Sequence, residues 1–298
     1  MDINESYDVV VIGGGAAGLS AALVLGRSRR SVLVIDAGEP RNARAAHLHN
    51  YLGREGTSPT ELLAIGREEV GRYGVEVRSG RTSSATRSGG RFVLGLEDGS
   101  RVTARRLVLA TGVVDVLPDV PGLEERFGRD VLHCPYCHGW EFAERPLGVV
   151  ATGPDGVERA LLFRQWSADV VLLLNGQPAP RGEEAERLAA RGVDVVPGEI
   201  ARVVVEDDVL TGVELVGGAV VARAALVVTT VPTADTTLVD SLGGADSPGL
   251  QVVGNAATPY GAVIASAADG MVAGTLLNHE LVVEDTEAAV GRHREEVA

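Results

Sequence analysis

The chain has 298 residues, 45% of them hydrophobic, which is enough to bury a substantial core and to form about two domains. Its formal net charge of −14 disfavours nucleic acid and anionic membrane surfaces as partners. Lysine is absent and all 27 basic residues are arginine, which excludes chemistry that depends on a lysine amine, such as a P-loop or a pyridoxal phosphate aldimine.

The first predicted group of elements is a βαβ unit at residues 7–36. It has an apolar run, a glycine turn, a helical stretch and a second apolar run, in the sequence YDVVVIGGGAAGLSAALVLGRSRRSVLVID. Gly13, Gly15 and Gly18 form the pattern GxGxxG, which permits a tight turn, close approach of a pyrophosphate and close helix packing. Asp36 ends the second run, where a carboxylate accepts hydrogen bonds from ribose hydroxyls. This unit predicts dinucleotide binding.

The next predicted element is a helix that begins at Pro59, because Ser58 and Glu61 have capping-box spacing and proline suits the first helical position. Short β-rich pieces over residues 75–109 predict an antiparallel meander that returns to the main sheet. The tail from residue 243 has the pattern of a strand, a turn and a long helix, which we expect to complete the first domain.

A second and weaker βαβ pattern covers residues 147–175, so we predict an internal duplication. Ala151 stands in place of the first glycine of the turn. Pro154 has no N–H to offer a phosphate, and the carboxylate of Asp155 repels one. Binding of NADPH is therefore doubtful, and Gly156 is explained by packing of the helix on the sheet.

Together these patterns predict an α/β fold with two Rossmann-like, three-layer ββα nucleotide-binding domains, the second inserted in the first. The first domain comprises residues 1–117 and 243–298, and the second comprises residues 118–242. No apolar run reaches the roughly 18 to 20 residues that span a bilayer, and no signal peptide is visible. We expect a cytoplasmic protein with no membrane partner.

Cys134 and Cys137 are the only cysteines and lie in HCPYCHGW, residues 133–140. Four interpretations compete: c-type haem attachment, half of a zinc site, buried structural thiols and a redox dithiol. Haem attachment needs export, and a zinc site lacks its second ligand pair. Pro135 at a first helical position would put Cys134 at a helix N-terminus, where the dipole makes a thiolate available. The redox dithiol is favoured, and buried structural thiols are the alternative.

Five segments resemble the low-molecular-weight thioredoxin reductase family, in the family's order and over nearly the whole chain. They are YDVVVIGGGAAGLSAA, NYLG at 50–53, LATG at 109–112, the CxxC, and VVGNAATPYGAVIASAADG near the C-terminus. The resemblance implies that the first and last segments bind FAD, that the middle domain binds NADPH and carries the CxxC, and that the protein is a homodimer.

The resemblance also implies which residues contact FAD. At the pyrophosphate and adenosine ribose they are Gly13, Gly15, Ala16, Ala17, Gly18 and Asp36. Near the flavin they are Asn50 at the ring, Gly254 and Asn255 at the ribityl chain, and Tyr260, Gly261 and Ala262 at the pyrimidine edge, with Arg41, Thr111 and Gly112 completing the set. Asn255 stands where the family usually has Asp, and residues 260–262 stand where it usually has Arg-Gln-Ala.

Two departures from thioredoxin reductases point in one direction. His138 follows the second cysteine where those enzymes have Asp, and the nicotinamide fingerprint is degenerate. The block CPYCHGWE, with PRN at 40–42, is similar to the gliotoxin- and holomycin-type dithiol oxidases of the same fold. That resemblance implies oxidation of a small natural-product dithiol to an intramolecular disulfide, with electrons passing through the CxxC and FAD to O2 and forming H2O2.

In this hypothesis His138, with an ordinary pKa near 6.5, accepts a proton from a substrate thiol. The thiolate attacks Cys134, and Cys137 then passes electrons to the flavin. His133, His47 and His49 are assigned to surface or packing positions, and the alternative for His47 and His49 is that the pair lines the flavin or substrate cleft. One alternative is a protein-disulfide reductase fed by NADPH or ferredoxin, and another is a non-enzymatic flavin redox sensor.

Overall fold

The computed structural model describes residues 5–298 and divides them into two compact units. The first unit comprises residues 5–43, Pro59–Val114 and Pro232–Ala298, and the second comprises Arg44–Ser58 and Asp115–Val231. The predicted division at residues 117/118 and 242/243 into two nucleotide-binding domains stays a prediction. No helix in the described part of the chain is long and apolar enough to cross a membrane.

The described residues form strands, α-helices and short 3₁₀ helices in an alternating α/β order. The strands are β1 Glu5–Ile12, β2 Val32–Asp36, β3 Glu76–Ser79, β4 Thr82–Ser88, β5 Arg91–Leu96, β6 Arg101–Leu109, β7 Val114–Val116, β8 Val131–Leu132, β9 Leu147–Val150, β10 Val170–Leu173, β11 Asp194–Val196, β12 Ile200–Glu206, β13 Val209–Leu215, β14 Val220–Ala222, β15 Ala225–Val227, β16 Val231–Thr233 and β17 Leu250–Val252. The α-helices are α1 Ala16–Arg27, α2 Pro59–Gly71, α3 Leu123–Arg126, α4 Pro135–His138, α5 Gly156–Phe163, α6 Glu183–Ala190, α7 Thr237–Ser241 and α8 Val263–Glu296, and the 3₁₀ helices are Trp140–Phe142 and Gly254–Ala256.

The first unit contains a seven-stranded sheet in the order β3-β2-β1-β6-β5-β4, with β17 on the second half of β6. Its β1, β2, β3, β6 and β17 pairings are parallel, and only β4-β5-β6 form an antiparallel meander. The prediction that all of residues 75–109 form a meander was therefore wrong for β3. A short strand has the same alternation of apolar and polar residues whether it pairs in parallel or antiparallel, so the partner of β3 could not be predicted from the sequence.

The two faces of this sheet are covered by different layers. On one face the apolar side chains of β1 and β2 pack with α1, α2 and α8. On the other, residues such as Phe92 and Leu94 from the meander close the core. Helices α1 and α8 approach closely because Gly270 and Gly274 lie against Ala17 and Ala21, and a Cβ on Gly270 would fall 1.9 Å from the Ala17 carbonyl oxygen. This layering is the predicted three-layer ββα arrangement.

The second unit contains a five-stranded parallel sheet in the order β11-β10-β9-β15-β8 and a separate antiparallel sheet, β12-β13-β14. Strands β9, β10 and β15 are buried along their whole length, which explains their unbroken runs of Val and Leu. Strand β8 lies at an edge of the parallel sheet and ends at Leu132. The segment HCPYCHGW therefore begins at the carboxyl end of a strand, where open α/β sheets bind ligands.

Candidate functional site

The redox turn, residues 133–140, is built by one residue pair and one short helix. Cys134 and Cys137 are joined by a disulfide, with their Cα atoms 5.3 Å apart. The Cys134 carbonyl accepts hydrogen bonds from the amides of Cys137 and His138, both at 3.3 Å. Pro135 occupies the first helical position, as predicted from the sequence.

Helix α4 is only four residues long, so the helix dipole at Cys134 is weaker than the sequence analysis assumed. It ends at His138, and the chain continues through Gly139 into a 3₁₀ helix. A Cβ on Gly139 would meet the Pro135 carbonyl oxygen at 2.5 Å and the Trp166 ring at 3.0 Å, so only glycine packs there. A single turn aligns few peptide dipoles, and the dipole contribution to the Cys134 thiolate is correspondingly small.

His138 is half-buried at the end of α4. Its Nε2 atom is enclosed by protein and finds no hydrogen-bond partner among residues 5–298. Burial lowers the pKa of His138 below its ordinary value, an effect that the negative charge of Glu141 opposes and that His49 reinforces. The imidazole is therefore held neutral near neutral pH, which is the form that accepts a proton.

A loop from the segment Arg44–Ser58 contacts the redox turn within the second unit. His49 lies between two carboxylates, with Nδ1 2.5 Å from Glu55 Oε1 and Nε2 3.2 Å from Glu141 Oε1. Asn50, which has a left-handed φ of 61°, donates from its amide nitrogen to Glu55 Oε2 at 2.8 Å. Its side-chain amide donates to the carbonyl of Tyr136 inside the redox turn. The loop is thus bonded to the turn at Tyr136 and to Glu141, the residue that follows the turn.

The glycine turn of the first unit forms a cradle without side chains. Gly13 has φ 104°, and a Cβ there would fall 2.2 Å from the Ala110 carbonyl oxygen. A Cβ on Gly18 would fall 1.9 Å from the Gly13 carbonyl oxygen, whereas one on Gly15 would meet nothing within 4 Å. The first turn of α1 carries no acidic residue. The N-terminal amides of α1 therefore face open space with no acidic side chain of that turn beside them. Such a site fits the pyrophosphate of a dinucleotide such as FAD.

Asp36 ends β2 beside this cradle. Its carboxylate accepts a hydrogen bond from the Gly14 amide at 3.1 Å and pairs with Arg67 at 2.7 Å. Burial opposes ionisation of Asp36, but the bonds from Arg67, Gly14 and Gly38 outweigh it and keep its pKa below the ordinary value. Asp36 is therefore ionised and fits the predicted role as acceptor of ribose hydroxyls. Arg67 was not predicted, because α2 carries no dinucleotide motif.

The carboxyl ends of β6 and β17 bring together the other predicted residues of the first unit. Thr111 and Gly112 follow β6, and Gly112 has φ 71°. The Gly254 amide donates to Asp269 at 2.7 Å, and a Cβ on Gly254 would fall 2.8 Å from the Ala17 Cβ.

The loop from Asn255 to Ala262 leads from this edge into α8. The Asn255 side-chain amide donates to the carbonyls of Thr258 at 3.1 Å and Gly261 at 2.9 Å. The departure from the family's Asp has a physical reason here, because a carboxylate could not donate to two carbonyls. Arg41 donates to the Pro259 carbonyl at 2.6 Å, and Tyr260 is exposed. Roles of these residues toward the flavin stay predictions, as does the role of Asn50, which lies in the second unit.

The corresponding turn of the second unit differs at each point that matters for phosphate. Asp155 precedes α5 and Glu158 lies in its first turn. The Asp155 carboxylate accepts from Thr229 Oγ1 at 3.2 Å and lies 3.5 Å from Arg159 Nη2. A Cβ on Gly156 would contact Ala151 at 3.2 Å, which agrees with a packing role for this glycine. Two carboxylates thus stand at the start of α5, and negative charge there disfavours binding of a phosphate.

The fold and these turns define an α/β oxidoreductase with one intact dinucleotide cradle and a CxxC disulfide in its second unit. Residues 7–254 match the family model described as pyridine nucleotide-disulphide oxidoreductase, and the chain belongs to this family. Thioredoxin reductase-like members of the family are flavoproteins, and FAD is the cofactor of this chain.

Particular relatives sharpen this assignment. The chain is 38% identical over 196 residues to thioredoxin reductase tcpT of Claviceps purpurea, covering 61% of this chain and 60% of that protein. It is 40% identical over 139 residues to thioredoxin reductase sirT of Leptosphaeria maculans, covering 45% and 42%. The matched segments thus span about half the length of these relatives. The crystal structure of HlmI is similar with a TM-score of 0.94, at 44% identity and 98% coverage of both chains. The predicted resemblance to thioredoxin reductase-like flavoenzymes is confirmed.

Proposed function

We propose that this chain is a flavin-dependent dithiol oxidase that closes an intramolecular disulfide in a small natural-product dithiol. In the overall reaction one dithiol and one O2 give one cyclic disulfide and one H2O2. FAD, when bound, accepts the electron pair and delivers it to O2. The residues of the redox turn carry the thiol chemistry, with Cys134 attacked by the substrate, Cys137 leaving, and His138 accepting a proton.

The observation that carries the proposal is the contrast between the two nucleotide-type turns. The turn before α1 is open at Gly15 and the first turn of α1 carries no acidic residue, while the turn before α5 ends in Asp155 and the first turn of α5 carries Glu158, two carboxylates that disfavour a phosphate there. A flavoenzyme that does not bind a nicotinamide dinucleotide can receive its electrons from a thiol substrate through such a disulfide. A neutral, half-buried His138 beside the disulfide supports the same direction, because a dithiol must lose protons as it is oxidised.

A second candidate is a disulfide reductase fed by NADPH or ferredoxin. The relatives tcpT and sirT, both named thioredoxin reductase, favour a reductase. The two candidates differ in which reagent reduces the flavin. Under anaerobic conditions we expect dithiothreitol to bleach the visible absorbance of the bound flavin and NADPH to leave it unchanged. Bleaching by NADPH, or by reduced ferredoxin alone, would establish the reductase instead.

Peroxide production separates the oxidase from a non-enzymatic redox sensor. With air present we expect one H2O2 for each dithiol consumed over many turnovers. The variants Cys134→Ser and Cys137→Ser should each abolish this reaction while keeping the flavin bound. Dithiol oxidation that persists in both variants would point to chemistry of the flavin alone and would overturn the role of the disulfide.

The homodimer and the cytoplasmic location expected from the sequence belong to the same proposal. Helix α8 presents several exposed apolar side chains, which supports a partner on this helix. They are Ile264, Met271, Val272, Leu276, Val282 and Val283. Light scattering of the flavin-loaded protein would test the dimer.

A further inference from the structure

Oxidation of a dithiol releases two protons, and the proposed function assigns one imidazole, that of His138, to receive them. Each substrate thiol must lose its proton before its sulfur can form a new bond, because the thiolate is the nucleophile. A neutral imidazole accepts a single proton. His138 must therefore discharge its first proton before it can assist the second thiol. Because Cys137 must stay a thiolate to pass electrons to the flavin, that proton needs another route from the turn to solvent.

The Glu55–His49–Glu141 chain provides groups that can hold such a proton. Both ring nitrogens of His49 face a carboxylate, at 2.5 Å on the Glu55 side and 3.2 Å on the Glu141 side. An ionised carboxylate only accepts hydrogen bonds, and a neutral imidazole has only one N–H. The two contacts can be satisfied together only when the three groups share an additional proton, which is the property required of a relay.

The three side chains also lead from the redox turn to solvent. Glu141 lies three residues after His138 and is one of two charged groups whose field acts on that imidazole, the other being His49. At the other end the Glu55 side chain is 63% exposed, against 18% for His49. Glu55 is held in place by the Asn50 amide at 2.8 Å. The route thus begins beside the redox turn and ends in water.

We infer that Glu141, His49 and Glu55 carry protons from His138 to solvent during dithiol oxidation, an inference that rests on the proposed function. In the first half, a thiol proton passes to His138, a bond forms between substrate sulfur and Cys134, and the Cys134–Cys137 bond breaks with its electron pair on Cys137. In the second half, the other thiol proton leaves, the product S–S bond forms, and the bond to Cys134 breaks with its electron pair on Cys134. The two thiols are oxidised to one disulfide, the Cys134–Cys137 disulfide is reduced to two thiolates, and both protons leave through Glu141, His49 and Glu55. Two protons are taken up again from solvent when O2 is reduced to H2O2.

The electrostatics of His138 favour transfer along this route. Burial makes the protonated imidazole unfavourable, so a proton taken from the substrate moves on readily. The negative charge of Glu141 attracts that proton. Glu141 and His49 are the charged groups that act on His138, from the 3₁₀ helix and from the loop of residues 44–58 respectively.

The test uses His49→Gln with His47→Gln as the matched control. His47 lies in the same loop, with its ring centroid 6.5 Å from that of His49, and its Nδ1 is 2.9 Å from a backbone carbonyl, that of Gly56. Flavin-loaded protein is mixed anaerobically with dithiothreitol in weak buffer, and the rate of flavin bleaching is followed against pH and against added imidazole. We expect His49→Gln to lower the rate by up to about 100-fold, the lower end of acid–base contributions.

Added imidazole should restore the rate of His49→Gln and leave the wild type and His47→Gln unchanged, because an external base replaces a missing relay but not a missing structural contact. Glu141→Gln should behave as His49→Gln does. If His49→Gln matches His47→Gln, or slows without rescue by imidazole, the relay is overturned while the oxidase stands. If the wild type itself is not bleached by the dithiol, the proposed function fails first.

Discussion

Arg159 donates a hydrogen bond from Nη1 to the carbonyl oxygen of His133 at 2.8 Å, so the helix that follows the degenerate turn holds the residue before the disulfide. The same guanidinium lies 3.5 Å from the Asp155 carboxylate. Arg159 thus links the Asp155 carboxylate at the start of α5 to the backbone of the redox turn.

This hydrogen bond predicts the effect of Arg159→Leu, which retains an aliphatic side chain but removes the guanidinium donor. Loss of a hydrogen bond from a charged donor should reduce the free energy of unfolding by about 1.5 to 3 kcal/mol. The redox turn should also become less ordered, and dithiol-dependent bleaching of the flavin should slow. Urea denaturation and anaerobic stopped-flow absorbance measure the two effects. Unchanged bleaching together with lowered stability would show that the bond serves only the fold.

The glycine cradle predicts a separation of flavin binding from folding. A methyl group on Gly15 meets no protein atom within 4 Å, so Gly15→Ala should fold normally. That methyl would nevertheless enter the space assigned to the FAD pyrophosphate, and the purified variant should contain much less flavin. Gly71→Ala, at the end of α2 and also in open space, is the control and should keep its flavin. Full flavin occupancy in Gly15→Ala would place the pyrophosphate elsewhere.

Local patterns were sufficient to predict the elements of this fold but not all of their partners. The glycine turn, Asp36 and the helix beginning at Pro59 each depend on neighbouring residues, and each was predicted from the sequence. Strand β3 was assigned to the meander, whereas it extends the parallel sheet. Period-two alternation specifies a strand and the face it buries, while the choice of a neighbouring strand depends on the whole chain.

The site shows the same division between local and distant contacts. The CxxC, Pro135 and His138 lie within one short segment and were predicted. His49 was assigned to the surface or to packing, because its partners Glu55 and Glu141 meet it only through the loop geometry. Glu141 stands within CPYCHGWE, so its position near His138 could have been inferred from spacing along one turn. The contacts of Arg67 and Arg159 could not be predicted, because no sequence motif indicates them before the fold is known.

The buried imidazole of His138 predicts how stability depends on pH. Burial lowers the pKa of His138 in the folded chain below its unfolded value of about 6.5, so below that pH the unfolded chain binds more protons. The free energy of unfolding must then fall as pH drops through about 6.5, until the folded-state pKa is passed. In His138→Gln this contribution is missing. Urea denaturation of both proteins should show the wild type losing stability relative to the variant between about pH 7.5 and 5.5. A difference that is constant over that range would mean that His138 is not buried as described.

A final relationship concerns two arginines that share one acceptor in the second unit. Arg126 Nη1 and Arg129 Nη2 bond to the carboxylate of Asp208 at 2.7 and 2.6 Å. Arg126 is only 5% exposed and also bonds Asp130, which is 6% exposed and accepts from the Leu210 amide at 3.0 Å. Arg129, in contrast, is exposed.

We therefore expect Arg126→Gln and Arg129→Gln to differ sharply although both remove a contact with Asp208. Arg126→Gln leaves the Asp130 carboxylate buried without its counter-charge, which should cost about 3 to 5 kcal/mol of unfolding free energy. Arg129→Gln removes an exposed ion pair, which contributes about 0 to 1 kcal/mol. Denaturation at low and at high salt provides the measurement, and only the small Arg129 effect should be screened by salt. Equal losses in the two variants would contradict a buried role for Arg126. Since β8 begins one residue after Asp130 and leads into the redox turn, Arg126→Gln should also slow reduction of the disulfide, whereas Arg129→Gln should not.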